Sequence, residues 1–233
     1  MTSKGIFAVV NQSTVVSNND VAAAVPAFAH QLHYHVAPSW HIGTASVLFY
    51  PDLASTPKNA WIIAILDNAD QAGALAYHSE TPDGRPYGKV FAETCQNYGV
   101  NWTSAASHEI VEAQIDLSCN LLADDGRGKF YALEACDPVE STIYTYNGIE
   151  LSDFVRPSWF DSQAPVGINT RWRTKGTEKL EPFQLDAGGY AVYYDLTAGK
   201  WSQTYNRDTY PAWRLTGKEF PGARTARIRG PQG

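Results

Sequence analysis

The sequence predicts an α+β fold, and three observations predict it. Apolar runs of strand length recur through the first third of the chain, at residues 5–11, Ala45–Tyr50 and Ala60–Leu66. Stretches with helical periodicity lie between and after them. Near the end, Tyr190–Asp195 and Trp201–Tyr205 flank the turn Thr197-Ala198-Gly199 as a hairpin does. Strands at uneven spacing with interposed helices argue for a mixed sheet with helices packed on it.

Residues 5–11 read as a buried first strand. Ser17, with Asp20 three positions on, forms a capping-box-like start. The helix it opens carries Val21, Val25, Phe28, Leu32 and Val36 on one face, and Pro26 is expected to kink it. His30, His33 and His35 lie on this helix with no acidic or cysteine residue beside them, so they read as surface or boundary histidines. Ala45–Tyr50 and Ala60–Leu66 are strands separated by a Pro/Ser/Asn-rich stretch. A further extended region, Gly73–His78 and Tyr87–Ala92, is split by the turn Thr81-Pro82-Asp83-Gly84-Arg85-Pro86. After Gly99 a second helix is expected, capped by Thr103 or Ser104. Beyond it come an Asp/Gly turn at 124–128, a short run Phe130–Leu133, and a region rich in Pro, Trp and Arg at 152–182 that reads as irregular. These features divide the chain into a core over 1–150, an extension with the β-hairpin over 151–221, and a basic tail over 222–233.

Composition narrows the function classes. An apolar content of 44% with 12% aromatic residues belongs to a chain that buries a core. A net charge of −6 with basic residues gathered only near the end argues against nucleic-acid binding. No run approaches the ~20 apolar residues that span a bilayer, so no membrane partner is expected. The start is a poor signal peptide, since Ile6–Val10 gives way at once to Asn11-Gln12-Ser13. Synthesis in a bacterial cytoplasm is the expectation. Three cysteines, Cys95, Cys119 and Cys136, make neither a closed disulfide set nor a CxxC zinc pattern.

The most informative stretch is Ser107-His108-Glu109-Ile110-Val111-Glu112-Ala113, an HExxE motif one residue away from the HExxH zinc-protease signature. Residues four apart on a helix project from one face, about 6 Å apart along the axis. His108 and Glu112 can therefore reach one metal, with Glu109 placed to act as general base on a metal-bound water. The plainer reading of the same residues is an amphipathic helix with an exposed acidic stripe.

Several stretches together resemble a phage- and bacterium-encoded family of zincin-like metallopeptidases with an HExxE motif. They are Val10-Asn11-Gln12-Ser13-Thr14, Asp67-Asn68-Ala69-Asp70-Gln71-Ala72-Gly73-Ala74, Tyr87-Gly88-Lys89-Val90-Phe91-Ala92, the run from Ser107 to Asp116, that from Ala132 to Glu140, and Ala223-Arg224-Thr225-Ala226-Arg227. The resemblance implies a zincin-like core, a mixed sheet with an active-site helix beneath a substrate-receiving edge strand. It also implies a metallopeptidase activity on protein or peptide substrates. Glu112 departs from the histidine that well-understood zincins carry at that position.

A catalytic zinc takes three protein ligands and a water. Asp116 lies about 12 Å along a continuous helix from His108, too far for a short side chain, and reads either as a residue that supports a ligand from behind or as a helix-end contact. Glu134 and Asp137 come from a separate element that can fold back over the helix, and either can supply the third ligand. Asp137, before Pro138, can instead orient one. His78, at the end of the edge strand, is a candidate for the metal shell or for an oxyanion donor, and Tyr131, Tyr144 and Tyr146 are further phenolic donors. One divalent cation, Zn²⁺ first, is the expected cofactor; the hard oxygen ligands also suit manganese or calcium. The expected chemistry is metal-assisted hydrolysis with Glu109 as base. The competing reading is a non-catalytic virion structural or adaptor protein that keeps the fold and docks on other virion proteins through its C-terminal extension.

Overall fold

The computed structural model describes residues 5–71, 73–173 and 179–206, so the tail expected at 222–233 lies outside the described residues. The chain runs β1 (Ile6–Asn11), α1 (Asn18–His30), a π-helical turn (Gln31–Val36), α2 (Ala37–Trp40), β2 (Ser46–Tyr50) and β3 (Trp61–Leu66). It continues with β4 (Ala76–Glu80), β5 (Pro86–Phe91), α3 (Ala92–Asn97), α4 (Trp102–Ile115), β6 (Leu122–Asp124) and β7 (Lys129–Ala132). The last elements are β8 (Ile143–Tyr146), β9 (Ile149–Ser152), β10 (Tyr190–Asp195) and β11 (Lys200–Tyr205). The fold is mixed α+β, as the sequence predicts.

The principal sheet has the order β2-β1-β3-β5-β4. Its first four strands run parallel, and β4 alone runs antiparallel, paired to β5 with His78 opposite Gly88. Parallel strands are covered on both faces, which is why β1 and β3 read as unbroken apolar runs rather than alternating ones. β4 and β5 turn about Gly84, whose φ of 79° lies in the left-handed region, with Thr81 N–H donating to Arg85 O at 2.8 Å.

The capping box at Ser17 and Asp20 forms as expected, and Val21, Val25, Phe28, Leu32 and Val36 are all buried. The helix does not stay α-helical to Val36, however. It widens into a π turn from Gln31. Phe28, Leu32 and Val36 repeat every four residues, a spacing that drifts off one face of a 3.6-residue helix, and the wider turn keeps them on the core side.

α4 starts two or three residues earlier than expected. Its cap is Asn101, whose side chain accepts from Thr103 N–H at 3.1 Å. The two hydroxyl residues predicted as caps fold back on it: Thr103 Oγ1 donates to Asn101 Oδ1 and Ser104 Oγ to Asn101 O. Asn caps better than Thr and as well as Ser, and here Asn101 holds both hydroxyls as donors.

α4 packs against β4 and β5 on one side and β9 on the other, and every residue from Thr103 to Ala113 is buried. Gly88 faces both the β3 side chain Ile63 and α4. A Cβ there would meet Ile63 Cδ1 at 2.8 Å and Glu109 Cβ at 3.9 Å. The β8–β9 hairpin was not foreseen, although Asn147-Gly148, at φ 48° and 80°, is the turn chemistry of a two-residue hairpin. The hairpin expected near the end does form. Its β10 pairs with β7, making a second sheet β11-β10-β7-β6 that crosses residue 150. Among the described residues no helix is long and apolar enough to cross a membrane.

Candidate metal centre

Three elements bring six predicted residues together. α4 supplies His108, Glu109 and Glu112, edge strand β4 supplies His78, and the segment after β7 supplies Glu134 and Asp137. The α4 acids do not form an exposed stripe. The side chains of Glu109 and Glu112 are 7% and 3% exposed, and those of His78 and His108 are 4% and 10%. Sinking two carboxylates and an imidazole in one buried helix is expensive unless something compensates them.

The distances define the arrangement. His108 Nε2 lies 3.2 Å from Glu112 Oε2 and 3.1 Å from Asp137 Oδ1. Donors around a tetrahedral zinc with bonds of ~2.0–2.1 Å sit about 3.3 Å apart, a spacing that both contacts to His108 approach. Glu112 is fixed by its other oxygen, which accepts from Cys136 N–H at 3.1 Å. Glu140 Oε2 approaches the opposite ring nitrogen of His108 at 3.6 Å, the place from which a carboxylate orients a ligating histidine. Across the pocket, His78 Nδ1 is 2.8 Å from Glu109 Oε2 and 3.8 Å from Glu112 Oε2, while its Nε2 lies 3.8 Å from Glu134 Oε2. The donor atoms of His78, Glu112 and Glu134 all fall within 4.8 Å of one another, as do those of His108, Asp137 and Glu140.

Electrostatics follow from this crowding. Burial opposes charge on His108, but Glu112, Cys136, Glu140 and Asp137 outweigh it and hold its pKa well above the usual range. For His78 burial again opposes the charged form, and the Cys119 sulfur and the Glu109 carboxylate bring the pKa up to about 10. Asp137 is pushed up by burial and by Glu112, against the pull of its hydrogen bond to His108. A pocket in which imidazoles are driven to hold protons and a carboxyl is driven to keep one is a pocket short of positive charge.

The turn after β7 that carries Asp137 and Glu140 is held from the C-terminal side. Pro138 O accepts from Asp186 N–H at 2.9 Å, and a Cβ on Gly189 would stand 2.2 Å from that same oxygen. Asp186 also receives Thr142 Oγ1 at 3.0 Å and pairs with Arg171. On the helix side, Ser107 Oγ accepts from Ser152 N–H at 2.7 Å, tying α4 to β9.

Asp116 caps the end of α4, its carboxylate accepting from Asn120 and Leu121 N–H at 3.1 and 2.9 Å, which is the helix-end role of the two expected. Cys119 (φ 49°) directs its thiol to His78 O at 3.9 Å, and Cys136 directs its own to His108 O at 3.8 Å. All three cysteines are free and buried. Of the tyrosines, Tyr144 hydroxyl bonds His35 Nδ1 at 2.8 Å, Tyr146 stacks on His30 at 3.8 Å, and Tyr131 packs among Trp159, Phe183 and Tyr193. Two residues escaped sequence reasoning, Glu140 and the Cys136 backbone amide. The spacing of Glu140 three residues after Asp137, in a Pro-initiated turn, was a usable signal for the first. No family model, curated protein or solved structure matches this chain.

Proposed function

We propose that this protein is a metal-dependent hydrolase of the peptidase or amidase type, built on a zincin-like core. The observation that carries the reading is the convergence of His108 Nε2 with carboxylate oxygens of Glu112 and Asp137 at 3.1–3.2 Å, beside Glu109, in a buried pocket. The zincin-like part rests on topology: the motif helix packs against a single antiparallel edge strand, β4, which carries His78. Such an edge offers backbone groups with which an extended peptide can pair.

His108, Glu112 and Asp137 would hold one divalent cation, Zn²⁺ first. When bound, it lowers the pKa of a water toward ~7 and polarises a carbonyl. Glu109 takes the proton of that water and delivers it to the leaving nitrogen. His78, donating through Nδ1 to Glu109 Oε2, fixes the base in one rotamer. Cys136 N–H and Glu140 do the same for Glu112 and His108. Two carboxylate ligands temper the Lewis acidity of the centre and widen its metal tolerance toward Mn²⁺.

The test is metal analysis of the full chain purified without added metal, followed by cleavage assays on a peptide mixture. Bound metal in the wild type, lost in Glu112→Ala, together with cleavage abolished in Glu109→Gln, is the expected result. A well-folded wild type that takes up neither zinc nor manganese removes this reading and leaves a non-catalytic scaffold or adaptor in its place.

A further inference from the structure

The pocket contains more donors than one cation uses, and they fall into two sets. We propose that it binds two divalent cations: one at His108, Asp137 and Glu112, the second at His78 and Glu134, with Glu112 shared between them. The proposal deepens the metal-dependent reading above and rests on it.

The first observation is the tautomer of His78. Its Nδ1 lies 2.8 Å from a Glu109 carboxylate oxygen and serves as the N–H donor there, so a cation that displaces the ring's other proton finds the lone pair on Nε2. That Nε2 is buried and makes no hydrogen bond, in a side chain only 4% exposed. A buried imidazole lone pair without a donor is a metal ligand in waiting.

The second observation is what Nε2 faces. Glu134 Oε2 lies 3.8 Å away. The separation is too long for a hydrogen bond. It suits two donors on either side of a cation, which with bonds of ~2.0–2.2 Å stand about 3.3 to 4 Å apart. The Glu109–His78–cation line is also the usual carboxylate–histidine–metal arrangement, with Glu109 fixing the ring.

The third is the place of Glu112. Its Oε2 is 3.2 Å from His108 Nε2, and a Glu112 carboxylate oxygen also falls within 4.8 Å of donor atoms of both His78 and Glu134, so this carboxylate is within reach of both sets. A carboxylate in that position bridges paired cations. Charge agrees. Glu109, Glu112, Glu134, Asp137 and Glu140, none with a side chain more than 13% exposed, carry five negative charges when ionised. Within this set of seven side chains and with both imidazoles neutral, one dication leaves three negative charges and two leave one. Mixed imidazole and carboxylate donors suit Zn²⁺ and Mn²⁺.

The experiment uses full-length protein stripped of metal, then titrated with ZnCl₂ and separately with MnCl₂ by calorimetry. Metal per chain is counted after gel filtration, and circular dichroism checks the fold of each variant. The proposal expects two cations per wild-type chain and one in His78→Gln. Glu134→Gln gives a second, independent route to the same loss. One cation in the wild type that is kept in folded His78→Gln overturns the second site while the single-metal hydrolase reading stands; one cation that is lost in folded His78→Gln overturns the second site and the placement of the single metal on His108, Glu112 and Asp137. Two cations in the wild type that both persist in folded His78→Gln and Glu134→Gln overturn the assignment of the ligands. No cation in folded wild type overturns both readings together.

Discussion

Four of the six histidines fall in two groups that share a residue type and little else. His30 and His35 sit at the end of α1 and in the π turn among rings: His30 stacks on Tyr146 at 3.8 Å, and His35 lies 4.5 Å from Trp172 and hydrogen bonds Tyr144. His78 and His108 sit among carboxylates. Burial and the neighbouring His30 push the pKa of His35 down to about 4, whereas His78 is driven up to about 10. His35 is held neutral by its surroundings and both rings of the first group serve as flat packing surface; the second group is set up to hold positive charge, whether proton or metal. What a histidine does here is decided by its neighbours and not by its spacing along a helix.

The sharpest way to break this contrast is to remove chemistry while keeping the acidic pocket. Glu109→Gln should cost about 10²–10⁴ in cleavage rate and keep at least one bound metal, read by kcat on a cleavable peptide beside metal analysis. Next in size is Glu140→Gln. Loss of the carboxylate facing His108 Nδ1 should weaken metal binding about 10- to 100-fold, measured by competition with a chromophoric chelator, with little change in the metal-free melting temperature.

The contrast also predicts opposite pH trends in metal-free protein. His35 binds its proton less readily folded than unfolded, so its contribution is complete above the unfolded value of 6.5 and declines as pH falls toward about 4. His78 binds its proton more readily folded. Its contribution is complete below 6.5 and is lost as pH rises through about 10, and Asp137, also raised, adds in the same sense at lower pH. Melting curves over this range should show His35→Phe flattening the acid side alone and His78→Gln the alkaline side alone. The smallest effect belongs to Tyr144→Phe. Losing its hydrogen bond to His35 should cost about 1 kcal/mol in denaturant unfolding and leave metal content unchanged.

Much of the framework was legible in the sequence because it was written in local signals. The Ser17–Asp20 box, the unbroken apolar strands, and the hairpin at 190–205 each declare themselves within a few residues. Asp116 could be placed by helix rise alone. The elements that escaped were those whose reason is non-local or competitive. The π turn follows from which face the rest of the core needs, and Asn101 won the cap from two nearby hydroxyls. For the site, the α4 residues were visible as a motif and Glu134, Asp137 and His78 as candidates. Their partition into two donor sets was not, because it depends on how β4 and the turn after β7 meet across α4. Glu140 was overlooked because its role runs through the far nitrogen of His108.

The contact between Gly189 and the Pro138 carbonyl has a bearing on how the molecule is made. Helix α4 and strand β4 leave the ribosome well before residues 186–205, yet those later residues supply the amide at Asp186 and the strand β10 that fix the turn carrying Asp137 and Glu140. The pocket is therefore completed in the order of synthesis by its last described segment. A nascent chain holds the motif helix for some time before it holds the whole ligand set, and the growing polypeptide is spared a finished centre until its own body is in place around it.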